Sequence, residues 1–552
     1  MSQTAESNDW KDIANWDIDL LPDPCSYVII PGGLRHYPVI NKLDSAVCDI
    51  IDFKFGGEVK NTHLLTYNAA KVEMNLNSKQ WYMLSAPLGD LYSGDFYVTD
   101  PNPFVDGYKI YAMLFNAENP QSHKTVEATW TGTFNTANQL LTKGTGMTIW
   151  AENEDVPQMT TNFTFPKPDA SYNYYFGNGN VSGTTGPISR TNSSRFAYDE
   201  PGFDAAVTTK ITLPFPTVRA GEAFMVGNPF MTHLDFEAFY NENQTSILNE
   251  YSVATGVSTF DPRAISPFST YIVGGATTGP VVLTKDIAPM QSFIVKSKVN
   301  SPNLRADVEF HTETSSNTLR SSAEIYRPDY TLEITSEREQ KPSSRILVSY
   351  AGNASPEYVP EEDSYTLFSS NSLTPVILYT RSADGYALNV NASNDLGRIV
   401  PLGIRTSQTG EIHLKFAGLE SFKNEVKIYL HDTRLNRVMD LDATAEYVFN
   451  KEEEALYSED RFFLSFRSAT GIGQLNATTG LIVRRTAPLT IQVSSSDGSM
   501  LTHLQITNLQ GQSPVRATNV PSGSTYRVHK PGVYIVRATG KDYTQVEKIV
   551  VY

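Results

Sequence analysis

Apolar and polar residues alternate with a period of two in many short stretches of this chain. Tyr330-Thr331-Leu332-Glu333-Ile334, Glu411-Ile412-His413-Leu414-Lys415-Phe416 and Val426-Lys427-Ile428-Tyr429-Leu430 each present one apolar and one polar face. That pattern predicts half-buried β-strands with one face packed and one in water. Further strands are expected at Tyr27-Val28-Ile29-Ile30, which runs into the turn Pro31-Gly32, and over 47–55 and 61–67. The segments Gln80-Trp81-Tyr82-Met83-Leu84-Ser85-Ala86-Pro87-Leu88, Phe224-Met225-Val226-Gly227-Asn228-Pro229-Phe230 and Ile287-Ala288-Pro289-Met290-Gln291-Ser292-Phe293-Ile294-Val295 read the same way. Helical spacing is scarce. One short helix is expected over 234–240, with Thr232 placed to cap it.

These elements predict an all-β protein of several β-sandwich domains in tandem. Residues 1–75 read as the β-rich end of an upstream region, either coils of a solenoid or part of a sandwich. A large sandwich-like domain is expected over 76–300 and a second over 320–470. A small Ig-like domain is expected over 481–552. Polar stretches over 300–325 and 470–479 read as linkers.

Composition supports ordered, strand-rich structure. The 552 residues include 29 Tyr, 27 Phe, 35 Gly and 31 Pro, an aromatic content that disordered chains lack. Charge changes the picture further. The net charge is −16, yet residues 481–552 hold eight Lys or Arg against three Asp or Glu and so carry +5. The other 480 residues therefore carry −21. An acidic body argues against nucleic acid, whose phosphates need a basic surface. The basic tail suits an acidic or lipid-headgroup partner. No apolar run is long enough for a transmembrane helix. Residues 1–19 are polar and acidic, unlike a signal peptide, and a leader is expected upstream of Met1.

Two cysteines, Cys25 and Cys48, fit one disulfide in an oxidising compartment, or two buried thiols. They are too few for a zinc site, and neither a cofactor nor a metal site is expected. No two of the nine histidines stand four apart, and no Gly-x-Ser-x-Gly elbow or phosphate-binding Gly-x-x-x-x-Gly-Lys-Ser/Thr loop occurs. No catalytic residue is nominated and the chain reads as a non-enzyme. Asp17 with Asp19, and Asp440 with Asp442, are spaced like neighbours on a strand face that could offer oxygens to Ca²⁺, although solvated loop acids are the plainer reading. The loop Tyr172-Asn173-Tyr174-Tyr175-Phe176-Gly177-Asn178-Gly179-Asn180 offers aromatic faces for sugar rings and amides beside them. Tyr172, Tyr174 and Tyr175 are the glycan-binding candidates.

The last 72 residues carry the most specific pattern. Leu489-Thr490-Ile491-Gln492-Val493 leads to an Asp497-Gly498 turn, and a strand from His503 to Leu509 ends at Gly511. Pro531-Gly532-Val533-Tyr534-Ile535-Val536 and Lys548-Ile549-Val550-Val551-Tyr552 come next. This succession resembles the C-terminal sorting domain of type IX secretion in Bacteroidetes-type bacteria, with Lys530-Pro531 where that family more often has Leu-Pro. The resemblance implies export through the type IX translocon, removal of the domain by a sorting protease, and attachment to surface lipopolysaccharide. Gly532, Val533, Tyr534, Ile535, Val536, Lys548, Ile549, Val550 and Val551 would be the sorting signal. The body resembles adhesin-like surface proteins of the same group, with glycans or host proteins as partners at the cell surface or beyond it. A carbohydrate-binding portion of a larger secreted protein is the alternative. Asp44-Ser45-Ala46 fits the short O-glycosylation pattern of that group and marks Ser45.

Overall fold

Most of the expected strands form, but at 61–67 the chain makes the 3-10 turn Thr62–Leu64 instead, and the protein is all-β with one α-helix among the described residues. The computed structural model describes the chain except residues 3, 78, 87, 89–107, 119–123, 133–143, 154–159, 166–174, 177–179, 182–209, 256–264, 266, 308, 312–329, 370–375, 407, 423–425, 453–456, 469–480, 488, 496–498, 509–511, 531, 541–543 and 552. It divides into two compact units. One holds Met1–Asn394, Arg405–Lys415 and Val448–Leu456; the other holds Asp395–Ile404, Phe416–Tyr447 and Tyr457–Tyr552. The sequence boundaries at 75 and 300–320 both fall inside the first unit, and that at 470–481 falls inside the second.

The first unit begins with a parallel ladder. Tyr27–Ile30, Ile50–Phe53 and Ala69–Asn77 stack side by side in one direction, as successive coils of a solenoid do. Val28, Ile51 and Ala70 share one inward rung, and Ile30, Phe53 and Val72 the next. The outer face is mixed, with Ile29 exposed beside polar contacts: the Tyr27 hydroxyl donates to Asp52 Oδ2 at 2.7 Å, and Lys54 Nζ lies 3.1 Å from the same oxygen. Glycine is required at the corners. A Cβ on Gly32 would sit 2.0 Å from the Phe55 carbonyl oxygen, and one on Gly57 2.4 Å from that of Ile30.

Two antiparallel sheets come after the ladder. One runs in the order Ala223–Gly227, Ser292–Lys296, Glu250–Ala254, Phe268–Ile272, Ala276–Thr278. The other runs Gln80–Ser85, Gly146–Asn153, Tyr108–Phe115, Trp130–Gly132. The helix spans Phe236–Asn243, and its cap is Asp235, whose Oδ1 accepts from the amides of Glu237 and Ala238. Asp235 rather than Thr232 does this because it directly precedes the first helical residue. Phe236 and Phe239 seat the helix against Tyr251 and Phe293, with ring centroids 4.8–6.2 Å apart. One apolar cluster runs from Trp10 through the coils and both sheets to Leu388, so residues 1–75 share their core with the two sheets.

The second unit contains the strands Ile399–Arg405, Tyr457–Ser468, Val426–Asp432 and Arg437–Asp440, in that lateral order. Asp432 is its polar anchor. Its carboxylate accepts from Arg461 at 2.8 Å and from the Tyr447 hydroxyl at 2.8 Å, and these donors hold its pKa below the usual carboxylate range against the pull of burial.

The most dehydrated ion pair joins neighbouring strands of the five-stranded sheet. Lys296 Nζ lies 2.5 Å from Glu250 Oε1, with both side chains buried. The ammonium also donates to Ser364 Oγ at 3.1 Å and to the Tyr365 carbonyl at 2.9 Å, and it lies 3.6 Å from the centre of the Tyr365 ring. Burial pushes the lysine pKa down while Glu250 draws it up. A buried pair of this kind is fragile to losing one member. Lys296→Met is expected to cost about 3–5 kcal/mol in urea unfolding at pH 7, and adding Glu250→Leu should restore most of it. A single substitution that costs under about 1 kcal/mol would mean the charges are hydrated, as surface pairs are.

Candidate functional site

Three segments that stand far apart in sequence meet at one place in the first unit. The Ser85 amide donates to the Met290 carbonyl at 2.7 Å, and the Asn228 amide donates to that of Gln291 at 2.8 Å. The Gly227 amide donates to Gly144, and that of Gly144 to Ala86, both at 2.9 Å. Gly227 must be glycine, since a Cβ there would lie 2.2 Å from that of Ser85. The clamp is Asn228, whose side chain is wholly buried. Its Nδ2 donates to the carbonyls of Thr232, Ile287 and Ala288 at 2.9, 3.1 and 3.0 Å, and its Oδ1 accepts from the Phe230 amide at 2.9 Å.

The turn held this way carries Met290, a bulky residue at φ 60°. That left-handed conformation costs an L-residue about 1–2 kcal/mol and tends to sit where a site is shaped. Met290 is buried, and with Phe55, Met74 and Pro289 it lines both of two adjoining cavities. One, of about 320 Å³, continues past Asn75, Gln80, Tyr82 and Gln291. The other, of about 300 Å³, runs over Gly57 and Met231 to a buried pair, His233 Nδ1 and Glu58 Oε1, 2.9 Å apart. Each is at the small end of the range for ligand pockets.

The chemistry of this lining is specific. Three thioethers and a phenyl ring form a soft apolar wall that adapts to shape, with an acid–imidazole pair at one end. A second carboxylate, Glu73, lines this cavity along with the pair. Glu58 and His233 stand 175 positions apart, and no local spacing announces them. The Gly-Asn-Pro-Phe and Pro-Met-Gln segments are the legible part of the site.

The nominated residues fall elsewhere. Cys25 is exposed and Cys48 is buried among the apolar residues of the coils, and both are free. The expected disulfide is therefore not made: Cys48 points into the core, where burial pushes its thiol up to about 12, while Cys25 sits in the turn outside it. Ser45 is exposed at φ 50° in the turn after Asp44. Asp17 and Asp19 lie in turns, not on a strand, and the Asp440 carboxylate accepts from the Asp442 amide at 3.0 Å. Tyr172 and Tyr174 lie outside the described residues, and Tyr175 belongs to the two-residue strand Tyr175–Phe176, paired with Asn180–Val181.

The sorting-signal residues are brought together. Gly532–Thr539 and Thr544–Val551 pair antiparallel, with Tyr534 opposite Ile549, Ile535 opposite Lys548 and Gly532 opposite Val551. They belong to a four-stranded sheet with Leu501–Asn508 and Val515–Val520. A three-stranded sheet of Leu481–Ala487, Thr490–Ser495 and Ser524–Arg527 completes the module. Among the described residues, its apolar cluster, including Leu481, Ile491, Val493, Leu504, Ile506 and Val536, draws on 481–551.

Removing the clamp tests the geometry of the cavity wall. Asn228→Ala leaves three carbonyls and an amide short of a partner and is expected to cost about 3 kcal/mol, read from the urea midpoint. Asn228→Asp should be at least as damaging, because a carboxylate offers only acceptors to three carbonyl oxygens.

Residues 58–466 match the model of a family described as a domain of unknown function, DUF8693. No curated protein matches the chain. Among solved structures, one titled "Biofilm associated protein - BSP domain" aligns over 86% of this chain and 96% of that one, at 9% identity and a TM-score of 0.16, too slight a likeness to carry an argument. No helix among the described residues is long and apolar enough to cross a membrane. With about three-quarters of its length inside the family model, the chain belongs to the DUF8693 family.

Proposed function

We propose that this protein is a non-catalytic surface protein of adhesin or scaffold type, carried across the outer membrane by type IX secretion, with residues 481–552 as its address. The observation that carries the reading is the terminal module. Among the described residues it has two sheets of its own strands and an apolar cluster drawn from 481–551. A secretion machine that reads a folded signal needs a part that holds its shape by itself, and a separate core supplies that. The order of motifs from Leu489 to Tyr552 supports the same assignment, with the strands at Gly532 and Lys548 as the signal. The translocon and its sorting protease are then the module's partners, and surface lipopolysaccharide is the anchor of what remains.

The body would work by display. Its two adjoining cavities are walled largely by adaptable apolar side chains, Phe55, Met74, Pro289 and Met290 among them. That lining suits holding a small apolar group better than transforming one. In the native host, deleting residues 481–552 should leave the protein in the periplasm, while the full chain is cleaved by protease added to intact cells. Normal surface exposure of the truncated protein would overturn the assignment.

A further inference from the structure

The four-stranded sheet of the terminal module turns one face to solvent. Along Leu501–Asn508, Leu504 and Ile506 are buried, whereas His503 is exposed and Gln505 half-exposed. Register extends the outer face across the neighbouring strands. Gln505 stands opposite Arg516 on one side and Arg537 on the other; His503 stands opposite Thr518 and Thr539. Arg516, Gln505 and Arg537 thus form one row over three strands. With strands about 4.7–4.9 Å apart, the two arginine backbones are roughly 9–10 Å apart. All three residues line a shallow concavity of about 400 Å³ together with His503, Thr518 and Thr539.

Among the described residues of the module, no acid stands opposite these arginines. Of the three acids in 481–552, Glu547 stands opposite Val536, a buried position on the other face, and Asp497 and Asp542 lie outside the described residues. Arg516 and Arg537 are both exposed, and among the described residues neither takes part in an ion pair. A strand face evolved only for solubility mixes the two signs. This one is cationic in a chain of net charge −16.

We infer that this face docks an acidic protein surface, with Arg516 and Arg537 each gripping a carboxylate and Gln505 bonding the segment between them. The inference rests on the module being an address, and it names the chemistry of the partner that reads it. Two guanidinium forks on either side of a neutral amide do not frame one phosphate; they match two separate carboxylates, each taken in the planar two-pronged geometry that arginine favours. The overall negative charge does not forbid this, because screening confines repulsion from the body to about 8–10 Å at physiological salt.

The test uses the full chain and poly-L-glutamate as probe, at low and at physiological salt. Wild type should bind it, Arg516→Gln/Arg537→Gln should bind at least tenfold more weakly, and Arg527→Gln/Lys530→Gln, with the same charge loss off this face, should stay within about twofold. Equal loss in both pairs, or binding to phosphatidylglycerol vesicles but not to polyglutamate, overturns the proposal. In the native host, Arg516→Glu/Arg537→Glu should accumulate in the periplasm with an unchanged melting temperature. If that variant is exported normally while deletion of 481–552 blocks export, the docking face is wrong and the address stands. If deletion has no effect, the address is wrong, and polyglutamate binding alone still decides the chemistry of the face.

Discussion

The first unit depends on one buried amide. Asn228 has no route to water, so its donors and acceptor must be satisfied by the protein, and four backbone groups from two separated segments do so. Hydrogen bonds of this sort contribute modestly when made and are costly when left unmade. That asymmetry fixes the path of residues 287–291 relative to 227–232. The close approach of Ser85 to Gly227 then places the strand Gln80–Ser85, and the turn at Met290 is held in a conformation it would not choose alone. The cavity wall is a consequence of this clamp.

The sequence made the strand content legible for a local reason. Alternation needs only neighbours, and at 410–417 and 426–430 it appears as strands with the expected faces buried. At 331–338 the strand forms, but the expected water-facing Thr331 and Glu333 are buried as well. The segments around Ser85, Asn228 and Met290 also contain strands, two of them buried on both faces, and their meeting was not visible, since hydrogen bonds across some 60 positions leave no periodic mark. The direction of the first strands was likewise hidden. Tyr27–Ile30, Ile50–Phe53 and Ala69–Asn77 read alike whether they stack in parallel or antiparallel, and only the register between them settles it. The helix cap was missed by three positions because Thr232 and Asp235 are both good caps and the start of the apolar pattern is diffuse. The Glu58–His233 pair could not be anticipated, because nothing within one turn or strand of either residue refers to the other.

Charge is divided as sharply as structure. The body is strongly acidic, and the module, with three acids among 72 residues, is basic. Such a division makes copies of the acidic body repel one another, while the module carries the opposite charge. A protein made to be displayed in many copies and handled once by a partner would benefit from both properties. The row of Arg516, Gln505 and Arg537 concentrates that attraction on a surface where strand register, not flexible loops, sets the spacing.

The lone thiol inside the coils has a bearing on biogenesis. With its proton held to about pH 12 by burial, Cys48 stays in the unreactive form at any pH a cell provides. Once the coils have closed, oxidants, alkylating agents and disulfide-exchange catalysts have no thiolate there to attack. In the closed coils Cys48 is held as a packing group among apolar side chains, and the exposed Cys25 is the thiol open to such reagents.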